Sequence, residues 1–256
     1  RPETMTEVLE YNGTPVSTDD YTIVTCIDSG DSTATKNSQC INAGIVTVVV
    51  QGKNSFSGTL EFSYEIQKGV ISQADVSFTG ASEVAYNHEV QNPQVQILSG
   101  GVAMKPENYT CTYYRKDTSG GLTEVSECKD AGTYIVRFEG KGNYEGTADL
   151  TYKILPIDIN LSPAYEITYE GITDQGYTGS AIIPPNLKVY EKKKGDVGAV
   201  KRELVADTDY IVLGENNINQ GTATITIKGS GNYTGEKTAT FNITRKDITE
   251  KTDGSN

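Results

Sequence analysis

Residues 132–154 read GTYIVRFEGKGNYEGTADLTYKI, and the same pattern returns as GIVTVVVQGKNSFSGTLEFSYEI at 44–66 and as GTATITIKGSGNYTGEKTATFNI at 221–243. The three stretches align without a gap. Counting from the first glycine, a second stands at +8 (Gly52, Gly140, Gly229), an aromatic at +12 (Phe56, Tyr144, Tyr233) and a third glycine at +14 (Gly58, Gly146, Gly235). A second aromatic follows at +20 (Tyr64, Tyr152, Phe241) and isoleucine at +22 (Ile66, Ile154, Ile243). Agreement at this many positions marks a tandem array in which each copy is one structural unit.

Within each copy the apolar residues alternate, as Val46, Val48, Val50, as Tyr134, Val136, Phe138 and as Ala223, Ile225, Ile227. That period of two belongs to a strand with one buried face. The alternation resumes after the third glycine, in Leu60, Phe62, Tyr64, Ile66 and in Ala148, Leu150, Tyr152, Ile154. Two antiparallel strands joined by a glycine-flanked turn, whose aromatic tip folds back over the sheet, are predicted. The paired glycines are expected to supply positive φ at that turn. The recurring aromatics are assigned to core packing ahead of sugar stacking, because they occupy the same place in every copy.

The repeat period is 88 to 89 residues, from Tyr64 to Tyr152 and on to Phe241 in a chain of 256. Residues 1–67 therefore form an N-terminally short module, 68–156 and 157–247 two full modules, and 248–256 a tail or the start of a further module. A full module is large enough for one small sandwich core. The net charge of −12 and pI near 4.6 argue against a phosphate-binding surface and so against nucleic acid. No apolar run is long enough to span a membrane. Arg1 opens a polar segment, as expected of a mature or excised fragment. Threonine, glycine, asparagine, valine and tyrosine dominate while helix signals are scarce, the profile of an all-β chain.

The first module enters in mid-repeat, since Tyr21 corresponds to Tyr109 and Tyr210 in the DY or NY pair that opens the next strand. It lacks a counterpart of DVSFTGASEVAYNHEV, so its sheet edge is expected to be completed from elsewhere or left exposed. Tyr86 and Tyr177 each precede a proline by seven residues (Pro93, Pro184) and are equivalent. The linkers after the +22 isoleucine are brief, which restricts the angles between neighbours and predicts a semi-rigid rod.

Cys40 and Cys128 each lie four residues before a repeat glycine, and Cys26 and Cys111 lie near the start of an extension that the third module lacks. Four cysteines permit three pairings, and this matched placement favours Cys26 with Cys40 and Cys111 with Cys128. A turn centred on Ser119 and Gly120 would set Cys111 opposite Cys128, within disulfide reach. Each bridge would close a loop of about 15 residues, stabilise its module by roughly 3 kcal/mol, and imply folding outside a reducing cytosol.

The third module carries the insertion YEKKKGDVGAVKRE, where Lys192, Lys193, Lys194, Lys201 and Arg202 cluster around a hairpin tip at Gly195 and Gly198. It reads as a solvated hairpin whose charges block edge pairing, or as a docking spot for an acidic partner. His88, the one histidine, is expected to be an exposed loop residue with no nucleophile motif beside it. Acid clusters such as IDSGDS (Asp28, Asp31) and VADTD (Asp207, Asp209) lack the spacing of a calcium loop and read as turns. Asp20 and Asp209 are matched by Asn108, an exchange that suits a turn and not a proton donor. Neither a metal nor a cofactor is called for.

The order DYxV, then AG or QG, then GxGNYxG, then Y/FxI resembles the tandem immunoglobulin-like modules of bacterial cell-surface proteins, the MBG-like and related Big-type repeats. GSGNYTGEKTATFNI and TDYIVLGENNINQGTATITI carry the resemblance best. It implies tandem immunoglobulin-like β-sandwiches in an elongated array, acting as an extracellular, non-catalytic stalk or adhesion protein at the cell surface. The expected partner is a host or cell-wall glycan or protein, and the expected state is monomeric. The alternative is a carbohydrate-binding accessory of a secreted polysaccharide-degrading enzyme, with Tyr113, Tyr114, Tyr165 and Tyr169 as a stacking platform.

Overall fold

The computed structural model describes residues 9–28 and 40–247, without the side chains of Cys26 and Asp28. These residues build an all-β fold of several small sheets; among them there is no α-helix, only 3-10 turns at Thr18–Asp20, Gln73–Asp75 and Pro106–Asn108. The repeated stretch forms the expected antiparallel pair. Strand Gly44–Gly52 lies against Thr59–Ile66 with Gly44 opposite Ile66, and Gly221–Gly229 lies against Glu236–Thr244 with Gly221 opposite Ile243. First glycine faces +22 isoleucine in both, so the gapless sequence alignment is also a structural register. Gly132–Gly140 and Thr147–Leu155 are neighbours in the middle copy. The inward residues are those the alternation selects: Val46, Val48 and Val50, then Tyr134, Val136 and Phe138, then Ala223, Ile225 and Ile227 are all buried.

The two turn glycines differ in their reasons for being glycine. At +14 the backbone is left-handed in all three copies (φ 91°, 88° and 81° at Gly58, Gly146 and Gly235), as expected. At +8 it is not. There a Cβ would run into the tip of the same hairpin, 2.7 Å from Glu145 N at Gly140 and 2.6 Å from Thr234 N at Gly229, so close backbone approach is the constraint. The second left-handed residue of the turn sits at +10 instead, as Asn54, Gly142 and Gly231 (φ 56°, 63° and 62°).

The chain divides into two compact units, one of residues 1–79, 94–112 and 136–150, the other of 80–93, 113–135 and 151–256. Residues assigned by sequence to the middle module thus fall partly in each. In the first unit, Tyr21–Asp28, Gly44–Gly52 and Thr59–Ile66 form a three-stranded sheet in that order. Leu9, Tyr21, Phe62, Tyr64 and Ile66 pack against the buried valines. The outer edge of Thr59–Ile66 has no strand partner among the described residues, and Leu60 at +16 is 53% exposed while its equivalent Ala148 is 4% exposed. Of the two expectations for the short module's edge, completed from elsewhere or left exposed, the described residues match the second. In the same unit the linker strand Gly69–Val70 runs parallel to the hairpin tip Tyr144–Glu145.

The second unit repeats that device, with Ile157–Asp158 parallel to Tyr233–Thr234. Its edge strands are covered: Lys153, Ile154 and Leu155 pair in parallel with Glu83, Val84 and Ala85, and Ile243 and Thr244 with Gln175 and Gly176. Tyr86 N–H donates to Leu155 O at 2.8 Å and Tyr177 N–H to Thr244 O at 3.0 Å, so the two tyrosines are equivalent as their spacing to proline predicts. A further sheet joins Tyr165–Glu170, Lys188–Lys193 and Arg202–Glu203. Ile182, Ala223, Ile225, Phe241 and Ile243 form a buried cluster in this unit.

Candidate functional site

The sequence-selected residues fall in different settings. Tyr113 and Tyr114 are consecutive and half-buried on strand Tyr109–Lys116. Neighbours on a strand face opposite sides, so the two rings do not make one stacking platform. Tyr165 is occupied by an edge-to-face contact with His88 (5.6 Å), and the Tyr169 hydroxyl lies 3.5 Å from Thr238 O. The hairpin after Tyr113 pairs Tyr113 with Val125 and Lys116 with Leu122, one residue away from the register that would set Cys111 opposite Cys128. The turn is tightened by Asp117, whose Oδ1 accepts from Ser119 N–H, Ser119 Oγ and Gly121 N–H at 2.7–2.8 Å. Cys128 instead engages the 91–92 segment, taking Gln91 N–H on its carbonyl at 2.7 Å and donating its own N–H to Asn92 Oδ1 at 2.8 Å. Cys40 packs on the first module's valines. The Cys26 side chain lies outside the described residues, and so does that expected pairing; Asp31 and the 248–256 tail lie outside them too.

The basic hairpin is largely answered from within its own sheet. Lys201 Nζ pairs with Glu170 Oε1 at 2.5 Å and lies 5.2 Å from the Tyr190 ring centre. The Glu170 acceptor raises the Lys201 pKa. Lys194 Nζ donates to Ser162 O at 2.7 Å. Lys192 and Lys193 lie in register with Glu166 and Tyr165. Arg202 turns inward, and with it the site that the sequence did not single out.

Glu191 is 4% exposed at the centre of this site. Its Oε1 takes Arg202 Nε at 2.7 Å and its Oε2 takes the Tyr233 hydroxyl at 2.9 Å, while Arg202 Nη2 also donates to the Tyr233 hydroxyl. His88 Nε2 lies 2.8 Å from Glu191 Oε1 without hydrogen-bond alignment, and Nδ1 lies 3.2 Å from the Tyr86 hydroxyl. The His88 backbone is left-handed at φ 73°, unusual for a residue with a side chain. Burial pulls the His88 pKa below its ordinary value, outweighing the attraction of Glu191, and burial pushes the Tyr233 hydroxyl far up. Far from being an exposed loop residue, His88 is a half-buried member of a polar clasp. Glu191 was legible, because in KVYEKK it shares a face with buried Val189. His88 carried no such signal.

A second arrangement recurs at equivalent places. The tip asparagine at +11 spans three chain segments. Asn143 Oδ1 accepts from Ala43 N–H at 2.7 Å, its amide nitrogen donates to Asn42 Oδ1 at 3.1 Å, and its carbonyl accepts from Gly69 N–H at 2.9 Å. Asn232 does the same with Ala131 N–H at 2.6 Å, Asp130 Oδ1 at 3.0 Å and Ile157 N–H at 3.0 Å. The tips of the second and third copies thus hold the preceding repeat, just before its first glycine, together with the linker that leaves it. Tip and DY pair are tied as well: the carbonyls of Asp20, Asn108 and Asp209 accept from Lys53, Lys141 and Ser230 N–H at 2.8–2.9 Å. A main-chain carbonyl does that work, which is why aspartate and asparagine interchange there. Asp209 also accepts Val205 N–H on Oδ2 at 2.9 Å, a turn role.

Comparison with known proteins adds little to this geometry. No family model matches the chain, and no curated protein matches it. The solved structure of PcdhgB3 EC1-4 aligns at 12% identity and a TM-score of 0.20, covering 91% of this chain and 66% of that one. The chain therefore spans just under two thirds of that structure's length, and the likeness is too loose to carry an argument. The class defined by the geometry itself is an all-β protein of repeated hairpin units.

Proposed function

We propose that this chain is a non-catalytic, extracellular stalk or adhesion protein of a bacterial cell surface, built of immunoglobulin-like repeats and monomeric. The observation that supports it best is where the recurring residues are spent. The +8 and +14 glycines shape the hairpin tip, the inward residues fill the core, and Asn143 and Asn232 bind one repeat to the next. What varies between copies is left to meet other molecules: the 111–128 extension and the hairpin around Gly195, whose tip residues Val197 and Val200 are exposed. The bridge Cys26–Cys40 belongs to this reading as a stabiliser of the first extension in an oxidising compartment.

The test is binding of the labelled chain to immobilised host and cell-wall glycans and proteins, alongside assays for polysaccharide turnover. Binding that is weakened by Lys192→Glu with Lys193→Glu, and no turnover, is expected. Micromolar glycan binding abolished by Tyr113→Ala with Tyr114→Ala would favour the carbohydrate-binding accessory instead. Turnover by the chain alone would overturn the non-catalytic reading. Alkylation of thiols before and after reduction, read by mass, tests that bridge independently.

A further inference from the structure

Among the described residues the asparagine bridge has two filled instances and, in the third copy, one receiving side without a tip on it. The receiving atoms stand at fixed offsets: the N–H at −1 (Ala43, Ala131), the side-chain oxygen at −2 (Asn42, Asp130), and the N–H three residues after the +22 isoleucine (Gly69, Ile157). Applied to the third copy, the same offsets select Gln220 N–H, Asn219 Oδ1 and Lys246 N–H. The local backbone matches, because the first glycine that follows has φ 138° at Gly221 against 134° and 157° at Gly44 and Gly132. Asn219 and Gln220 are exposed, and among the described residues the Gln220 and Lys246 N–H groups and the Asn219 side chain have no hydrogen-bond partner.

The donating side follows the converse rule. Asparagine stands at +11 in the two copies whose tips receive a preceding repeat, and Ser55 stands there in the first copy. A serine hydroxyl on one carbon cannot both accept at −1 and donate at −2 across the distance that the asparagine amide spans. A second copy of this chain therefore offers no free tip of the right kind: Asn143 and Asn232 are engaged, and Ser55 is too short.

We propose that Asn219, Gln220 and Lys246 form an interaction surface for the asparagine-bearing tip of a further repeat of this type, which docks as Asn232 docks on Asp130 and Ala131. The surface reads a carboxamide whose oxygen accepts from Gln220 N–H, whose nitrogen donates to Asn219 Oδ1, and whose main-chain carbonyl accepts from Lys246 N–H. This stands apart from the question of ligand binding, since it concerns only how one repeat receives another.

Site-resolved amide hydrogen exchange tests it on the 256-residue chain and on a longer chain in which residues 1–247 are followed by a second copy of residues 159–247, so that Lys246 keeps its place. Gln220 is expected to exchange at least about tenfold more slowly in the longer chain, and to lose that protection when the added copy carries Asn232→Ala. Folding of the added copy is read from its own Gly221–Gly229 amides. Unchanged Gln220 exchange beside a folded added copy, or slowing that survives Asn232→Ala, would overturn the proposal. The 256-residue chain gives a second reading that needs no added segment: Asn143→Ser and Asn232→Ser are expected to speed exchange at Ala43 and Ala131, and retained protection there would contradict the bridge itself.

Discussion

Three residues show how burial and backbone geometry decide what a substitution costs. Gly146 combines φ 88° with a Cβ position 2.7 Å from Ile71 O, so Gly146→Ala is expected to lower stability by about 1–3 kcal/mol in denaturant titration. Arg202 is half-exposed, but its partner Glu191 is buried, and removing the guanidinium leaves that carboxylate with weaker company. Arg202→Ala is expected to cost about 3 kcal/mol, whereas Lys193→Ala stays within about 0.5 kcal/mol. His88 has a depressed pKa in the folded state, so the unfolded chain binds the proton more readily. Its contribution is present above the ordinary histidine pKa of about 6.5 and is lost as pH falls below it. Thermal unfolding should therefore drop between about pH 7 and 5, and His88→Gln should flatten that part of the profile. The sequence carried half of this site: strand alternation places Glu191 inward beside Val189, while nothing in YNHEV announces that His88 turns toward it from more than a hundred residues away.

Among the elements, the strands of the repeated hairpin were legible, because period-two alternation and glycine offsets are local properties of the chain. Its register, inward residues and left-handed +14 glycine all follow from them. The +8 glycine was assigned the wrong reason, since close approach of a turn to its own strand depends on coordinates that a residue pattern does not contain. The cysteine hairpin failed by one residue for a similar cause. Its turn is set by the Asp117 carboxylate gathering Ser119 and Gly121, which shifts the ladder from the symmetric loop assumed from spacing alone. Strand Thr59–Ile66 supplies an element-scale test, because among the described residues its outer edge is unpaired where those of Thr147–Leu155 and Glu236–Thr244 are covered. Leu60→Lys is expected to change stability by less than about 0.5 kcal/mol, and Ala148→Lys, at the equivalent but buried position, to cost several-fold more in the same titration.

Across the whole molecule, the recurring residues and the variable ones do separate jobs. The linkers expected to separate modules are short strands paired with the tip of the following repeat, at Gly69–Val70 and Ile157–Asp158. That pairing was hidden from sequence because it joins residues some seventy-five positions apart through main-chain atoms, which any side chain permits. The tip asparagine was visible as a repeated letter, and its meaning came only with its partners. If the repeats build and join the fold while the insertions are left for display, protection from exchange must follow the same division. Native-state amide exchange over the 256-residue chain measures this most directly. The account predicts that the slowest amides fall at the same offsets in all three copies, on Gly44–Gly52, Gly132–Gly140 and Gly221–Gly229, with the tip around Gly195 exchanging fast. Equal protection of that tip, or one repeat strand exchanging as fast as a loop, would contradict it.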